Sequence, residues 1–350
     1  MNFIYEALPC RVIFGNGRRA VAGEELDRLN ISRVLVVGTP QQEDQIRGFA
    51  ETLGNRVAAV FPQAAMHTPV DVTNEALSVL ERSKADGLLA LGGGSSIGLT
   101  KALALRTDLP QLVVPTTYAG SEMTPIIGQT ENGLKTTQRT LKVLPETVIY
   151  DPELTLTLPA FISGPSGLNA IAHSVEALYA EQANPIISMM AEDSIRALGK
   201  ALPRIAEAPD DIEARGEALY GSWLAGACLG SVGMAIHHKI CHTLGGTFDL
   251  SHADIHALMI PYSAAYNREA ASDAMARVAR ALGGNDGPRA LYALMQNVAV
   301  KKSLKEFGLK PADLDRAADL AVTNAYYNPR PIDRASIRGM LQQAYDGVTP

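Results

Sequence analysis

Apolar residues in the first 150 positions alternate between two rhythms. Short aliphatic runs at 12–14, 34–37, 57–60, 88–91, 112–114 and 148–150 read as strands. Between them, 42–53, 73–83 and 97–105 repeat apolar residues at helical spacing. Alternating strands and helices predict a mostly parallel, doubly wound sheet. After Asp151-Pro152 the strand-like runs stop. Helical patterns follow at 166–180, 186–202, 212–226, 234–244, 272–282, 289–307 and 312–323. The expected plan is a Rossmann-like α/β domain over 1–158 and an all-α domain over 159–350. The cleft between two such domains is the default ligand site.

One stretch, 218–236, carries no charge and is nominally long enough to span a bilayer. It contains Gly221, Gly226, Gly230 and Gly233 and runs into His237-His238, so a tightly packed core helix is expected. The three cysteines show no C-x-x-C spacing, and 1–9 lacks the basic-then-apolar pattern of a secretory signal. Both point to a reducing, cytoplasmic setting, with no membrane partner. A net charge of −6 with scattered Lys and Arg argues against a nucleic-acid partner.

Two glycine-rich turns compete for a phosphate. Gly15-Asn16-Gly17-Arg18-Arg19-Ala20 matches a dinucleotide pattern, but the next strand ends in Gly38-Thr39-Pro40 without the acid that binds ribose, so a plain tight turn is expected. Gly92-Gly93-Gly94-Ser95-Ser96 follows a strand and opens a helix, where close backbone approach and helix N–H groups suit a pyrophosphate. Thr116 and Thr117 end another strand at the same sheet edge.

Six of the seven histidines lie between His173 and His256. His238 and His242 are one helical turn apart, as are Asn169 and His173. His252 follows a Gly245-Gly246 break expected to end the helix and leave His252 on a loop. Such a set suits a divalent metal or proton transfer. His237 and His256 read as supporting residues off these faces.

These residues resemble the iron-containing alcohol dehydrogenase superfamily. The resemblance rests on the glycine-serine cradle, the segment from Thr116-Thr117 to Gly120-Ser121-Glu122, and His238-x3-His242-x9-His252. It implies a dinucleotide-binding domain followed by a helical metal-bearing domain. It also implies metal-ligand positions at Asn169, His173, His238 and His252, with His242 near the nicotinamide. The family's first ligand is an aspartate; here it is an amide, which makes bound Fe or Zn doubtful. The family's cradle acid is replaced by Gly98, and its NAD-selecting acid by Thr39, so both NADH and NADPH are expected to serve.

Val114-Pro-Thr-Thr-Tyr-Ala-Gly-Ser-Glu-Met-Thr-Pro125, Val148-Ile-Tyr-Asp-Pro152 and Asn328-Pro-Arg-Pro331 are similar to the branch that reduces maleylacetate in bacterial breakdown of aromatic compounds. That branch implies a small dicarboxylate substrate and reduction of a carbon–carbon double bond. The alternative is a metal-dependent alcohol or polyol dehydrogenase. The expected catalytic set is His173, His238, His242 and His252. The expected cofactor set is Gly38, Thr39, Gly93, Gly94, Ser95, Ser96, Thr116, Thr117 and Lys135. Tyr118, Lys239 and Arg330 are the substrate candidates, and a homodimer is expected.

Overall fold

Val34 and Val36 bury against one face of a sheet while Leu35 and Val37 bury against the other. A strand with two apolar faces needs helices on both sides. The computed structural model of the chain describes residues 2–298, 301–324 and 326–350, the side chain at position 135 excepted. The chain divides into two compact units, Leu8–Leu158 and Pro159–Pro350, with Met1–Ala7 grouped with the latter.

In the first unit the order is β1 (Arg11–Phe14), α1 (Ala22–Arg28), β2 (Val34–Val37), α2 (Glu43–Leu53), β3 (Val57–Phe61), α3 (Val70–Ser83), β4 (Gly87–Gly92), α4 (Gly94–Thr107), β5 (Gln111–Pro115), β6 (Ile126–Glu131), β7 (Leu134–Arg139) and β8 (Thr147–Tyr150). Six strands form a parallel sheet in the order β1-β8-β5-β4-β2-β3. Residues of α1 and α2 fill one face, and those of α3 and α4 the other. From β2 the chain moves outward to β3, then crosses back to place β4 on the other side of β2. The carboxyl ends of β2 and β4 therefore flank the reversal, the position where such sheets bind ligands.

The antiparallel hairpin β6–β7 was not among the expected strands. Its turn, Asn132-Gly133, has φ of 49° and 76°, the left-handed pair that a two-residue hairpin demands.

The second unit contains α5 (Ala160–Ala177), α6 (Pro185–Glu207), α7 (Ile212–Ser231), α8 (Ile236–Phe248), α9 (His252–Tyr266), α10 (Ser272–Ala281), α11 (Gly287–Asn297), α12 (Pro311–Ala321) and α13 (Arg334–Asp346). Every residue of α5 from Ser163 to Ala177 is buried, and α6, α7 and α9 pack around it. Gly167 permits this: a Cβ there would lie 2.4 Å from Leu202 of α6.

Three expectations are corrected. The uncharged stretch is not one helix: α7 stops at Ser231 and α8 restarts at Ile236, bent by 97°. Among the described residues no single helix is long and apolar enough to cross a membrane. The Gly245-Gly246 pair does not end α8, which continues to Phe248 and stops where Asp249 turns left-handed at φ 52°. His252 is accordingly the first residue of α9, not a loop residue. The pattern at 289–307 is also broken: α11 ends at Asn297, and Leu304–Phe307 form a separate 3-10 turn.

Candidate active site

Helix α4 begins directly after β4, with Gly93 as its N-cap and no side chain capping its first turn. Its leading N–H groups are thus available to an anion. The three glycines have different reasons to be glycine. Gly92 adopts φ 147°, a region closed to side chains. A Cβ on Gly93 would lie 2.6 Å from Thr117 Cγ2. A Cβ on Gly94 would meet no protein atom within 4 Å, so its face opens outward. The buried hydroxyl oxygens Ser96 Oγ and Thr117 Oγ1 lack protein partners. Gln42 ties this edge together by donating to Thr116 Oγ1 at 3.1 Å, while Thr39 donates to Gln42 Oε1 at 3.3 Å. Gly38 cannot carry a side chain, since a Cβ there would collide with Ile46. Gly98 is enforced by Thr68, whose Oγ1 would lie 2.4 Å from an added Cβ. The open face, uncapped helix and partnerless hydroxyls fit a dinucleotide. The side chain of Lys135 lies outside the described residues.

The earlier glycine turn is already filled. Asp151 accepts hydrogen bonds from the backbone N–H groups of Gly17 and Arg19, both at 3.0 Å, and pairs with Arg19 Nη1 at 2.9 Å. A carboxylate of the chain itself occupies the anion nest that the pattern creates.

In the second unit the histidines converge from three helices: His173 on α5, His237, His238 and His242 on α8, and His252 and His256 on α9. His173 stacks on His238 with centroids 5.0 Å apart; His256 lies 4.8 Å from His238 and 4.2 Å from His252; His242 lies 6.0 Å from His252. His173, His237, His238 and His256 are buried, whereas His242 and His252 are exposed. Burial pushes His238 down to about 3, and burial plus neighbouring imidazoles push His173, His237 and His256 well below the ordinary range. All four are neutral at pH 7.

Sequence reasoning missed Glu176, one turn beyond His173 on α5. Its carboxylate accepts the N–H groups of Ala235 at 2.8 Å and His237 at 2.6 Å, capping the α8 N-terminus from another helix. It also meets His238 Nδ1 at 2.7 Å. Burial raises Glu176 to about 7, and those backbone N–H bonds oppose the rise. The two backbone donors favour the Glu176 anion; with that carboxylate ionised, His238 donates to it from Nδ1 and Nε2 presents a lone pair. His238 Nε2 is buried without a partner.

A second relay orients His256. Ser263 Oγ lies 3.1 Å from the carbonyls of Met259 and Ile260, the ordinary destination of a helical serine proton. It therefore accepts from His237 Nδ1 at 2.9 Å, and His237 Nε2 accepts from His256 Nδ1 at 3.0 Å. This network assigns the remaining lone pair of His256 to Nε2, buried and without a partner.

Among the described residues, the three histidines of the family's metal-ligand positions, His173, His238 and His252, do not form one close donor set. Asn169 Oδ1, His173 Nδ1 and His238 Nε2 are buried and partnerless, but the first is a neutral amide. Among the described residues, the His, Cys, Asp and Glu groups with donor atoms mutually within 4.8 Å are His242–His252–His256 and His237–Cys241–His256. Neither contains His173 or His238. The residues therefore do not fit the family's anionic-ligand dication site. Of the substrate candidates, Lys239 lies 5.8 Å from the Tyr326 ring, beside His242, whose Nδ1 is 3.5 Å from Tyr326 Oη. Tyr118 is fully buried. Arg330 is committed elsewhere, stacked 4.1 Å from the Tyr266 ring and donating to Tyr266 O and Ser336 Oγ.

Comparisons with known proteins cover both units. Residues 9–152 match the model described as iron-containing alcohol dehydrogenase, and 164–345 match the Fe-containing alcohol dehydrogenase family, C-terminal. The chain is 51% identical to the maleylacetate reductase of Rhizobium sp. strain MTP-10005, over 99% of each chain. It is also 51% identical to that of Sphingobium indicum, over 100% of this chain and 99% of the relative. A crystal structure of maleylacetate reductase from Agrobacterium tumefaciens superposes with a TM-score of 0.97 at 51% identity, covering all of both chains.

Proposed function

Because the chain belongs to the iron-containing alcohol dehydrogenase family, an oxidoreductase family matched over both units, we propose that it reduces the carbon–carbon double bond of maleylacetate to 3-oxoadipate. One observation carries this reading: near-full-length identity of 51% to curated maleylacetate reductases. The electron source is NADH or NADPH, since Thr39 offers no carboxylate to repel a 2′-phosphate. The β2–β4 edge, with Gly93, Gly94, Ser95, Ser96, Thr116 and Thr117, holds the dinucleotide.

Held at that edge, a reduced nicotinamide would supply hydride, and its addition to the alkene carbon β to the substrate ketone would leave negative charge on the ketone oxygen. The chain's task is to stabilise that enolate and protonate its α carbon. His238 and His256 are excluded as donors, because their relays leave lone pairs on Nε2. The exposed pair His242 and His252 provides the proton, on a floor made by His173 and His238. Lys239 pairs with a substrate carboxylate. No step needs a metal to polarise a carbonyl.

The working form is a cytoplasmic homodimer. Supporting this, β1 is an edge strand, and Phe3, Ile4 and Tyr5 just before it are exposed. The test is spectrophotometric: rapid NADH loss with maleylacetate and negligible loss with simple aldehydes is expected. The opposite order of rates, with activity abolished by chelation, would establish a metal-dependent alcohol dehydrogenase instead.

A further inference from the structure

We propose that His242, His252 and His256 form a three-imidazole site for a borderline divalent cation such as Zn²⁺ or Co²⁺, displaced from the family's ligand positions. His252 and His256 are one turn apart on α9, and His242 faces them from α8. Their donor atoms lie within 4.8 Å of one another. Tetrahedral coordination at about 2.0–2.1 Å brings nitrogens to about 3.3 Å apart. Two exposed side chains closing on one buried, fixed imidazole cover that difference by small rotations.

His256 has the attributes of a ligand. It is fully buried, its Nε2 has no partner, and its Nδ1 donates into a chain running through His237 to Ser263. Such hydrogen bonding behind an imidazole fixes its tautomer and raises its basicity toward a metal. Three neutral nitrogens select zinc-like cations over Mg²⁺ or Ca²⁺, which prefer oxygen. Three protein ligands leave a fourth position open. This site uses His256, which is no family ligand position, and omits Asn169, His173 and His238.

Cation capture would occupy the two imidazoles assigned above to protonation, a consequence that rests on the proposed function; the binding site itself does not. The test is Co²⁺ titration of the full chain, read by the visible d–d absorption band. One tetrahedral Co²⁺ per chain is expected. His252→Gln, at an exposed position that leaves the core intact, and His256→Gln should each weaken binding at least about tenfold, and Ser263→Ala about tenfold or more. Asn169→Ala should bind as the parent does, with circular dichroism reporting the fold of each variant. Loss of the band in Asn169→Ala together with its retention in folded His256→Gln would overturn the proposal, as would the absence of any band in the parent. Binding that leaves turnover unchanged would keep the site and remove the pair from the protonation scheme.

Discussion

Glu176 Oε2 lies 2.7 Å from His238 Nδ1, while the same carboxylate receives the N–H groups that open α8. One side chain on α5 thus sets both the start of a helix and the tautomer of an imidazole. Glu176→Gln keeps the shape but replaces an acceptor oxygen with an NH2 that faces donors. It is expected to cost about 2 kcal/mol of stability, measured by denaturant unfolding. A variant as stable as the parent would remove Glu176 from its capping role.

His242→Ala and His252→Ala are each expected to reduce turnover of maleylacetate by about 100- to 10,000-fold, the range of a lost general acid. Thermal midpoints should barely move, because both side chains are exposed. Steady-state rates across pH decide the matter; parent-like turnover in both variants would end the protonation scheme.

Gly93 and Gly94 separate folding from cofactor binding. Gly94→Ala places a methyl where no protein atom lies within 4 Å, at the first residue of α4, so the fold should be unaffected. The methyl meets the incoming phosphates, and a clash of about 1–3 kcal/mol weakens NADH binding about 5- to 150-fold. Gly93→Ala drives Cβ into Thr117 and should destabilise the protein itself. Isothermal titration with NADH and thermal unfolding, run on both variants, distinguish the two effects.

Glu192 bridges α6 to α10 through Arg277 at 2.7 Å and Arg280 at 2.6 Å. The hydrogen bond from Arg280, aided by Arg277 against partial burial, holds its pKa below the ordinary 4.5. A depressed carboxylate stabilises the fold above its unfolded pKa and loses that contribution as pH falls through the folded value. Glu192→Gln should therefore be less stable by about 0.5–1 kcal/mol at pH 7. The gap should close below the depressed pKa. Urea unfolding at both pH values checks it; a gap that persists in acid would refute an electrostatic origin.

Much of the architecture was legible along the chain. All six strands of the parallel sheet lie where aliphatic runs predict them; the four inner ones, β2, β4, β5 and β8, are buried on both faces and so are apolar at consecutive positions. The second helical half was legible less evenly. Helices α9 and α13 were not anticipated: α9 is apolar on nearly every side, which erases the periodicity a partly exposed helix shows. Reading Gly245-Gly246 as a stop placed His252 on a loop and hid its one-turn relation to His256. The spacing His252-x3-His256 was available, and it is the same as His238-x3-His242.

By itself the sequence determined that strands and helices alternate before residue 158, that a glycine turn opens α4, and that histidines concentrate in the second half. These are local matters, set by side-chain periodicity and backbone freedom. The choice between the two glycine turns was also legible, but only the tertiary structure supplied what closes the first: Asp151, distant in sequence, fills it with its own carboxylate. It alone brought Glu176 and Ser263 behind His238 and His256, directing each Nε2 lone pair. A tautomer depends on which neighbour accepts the other ring proton, and spacing along a chain carries no record of that neighbour.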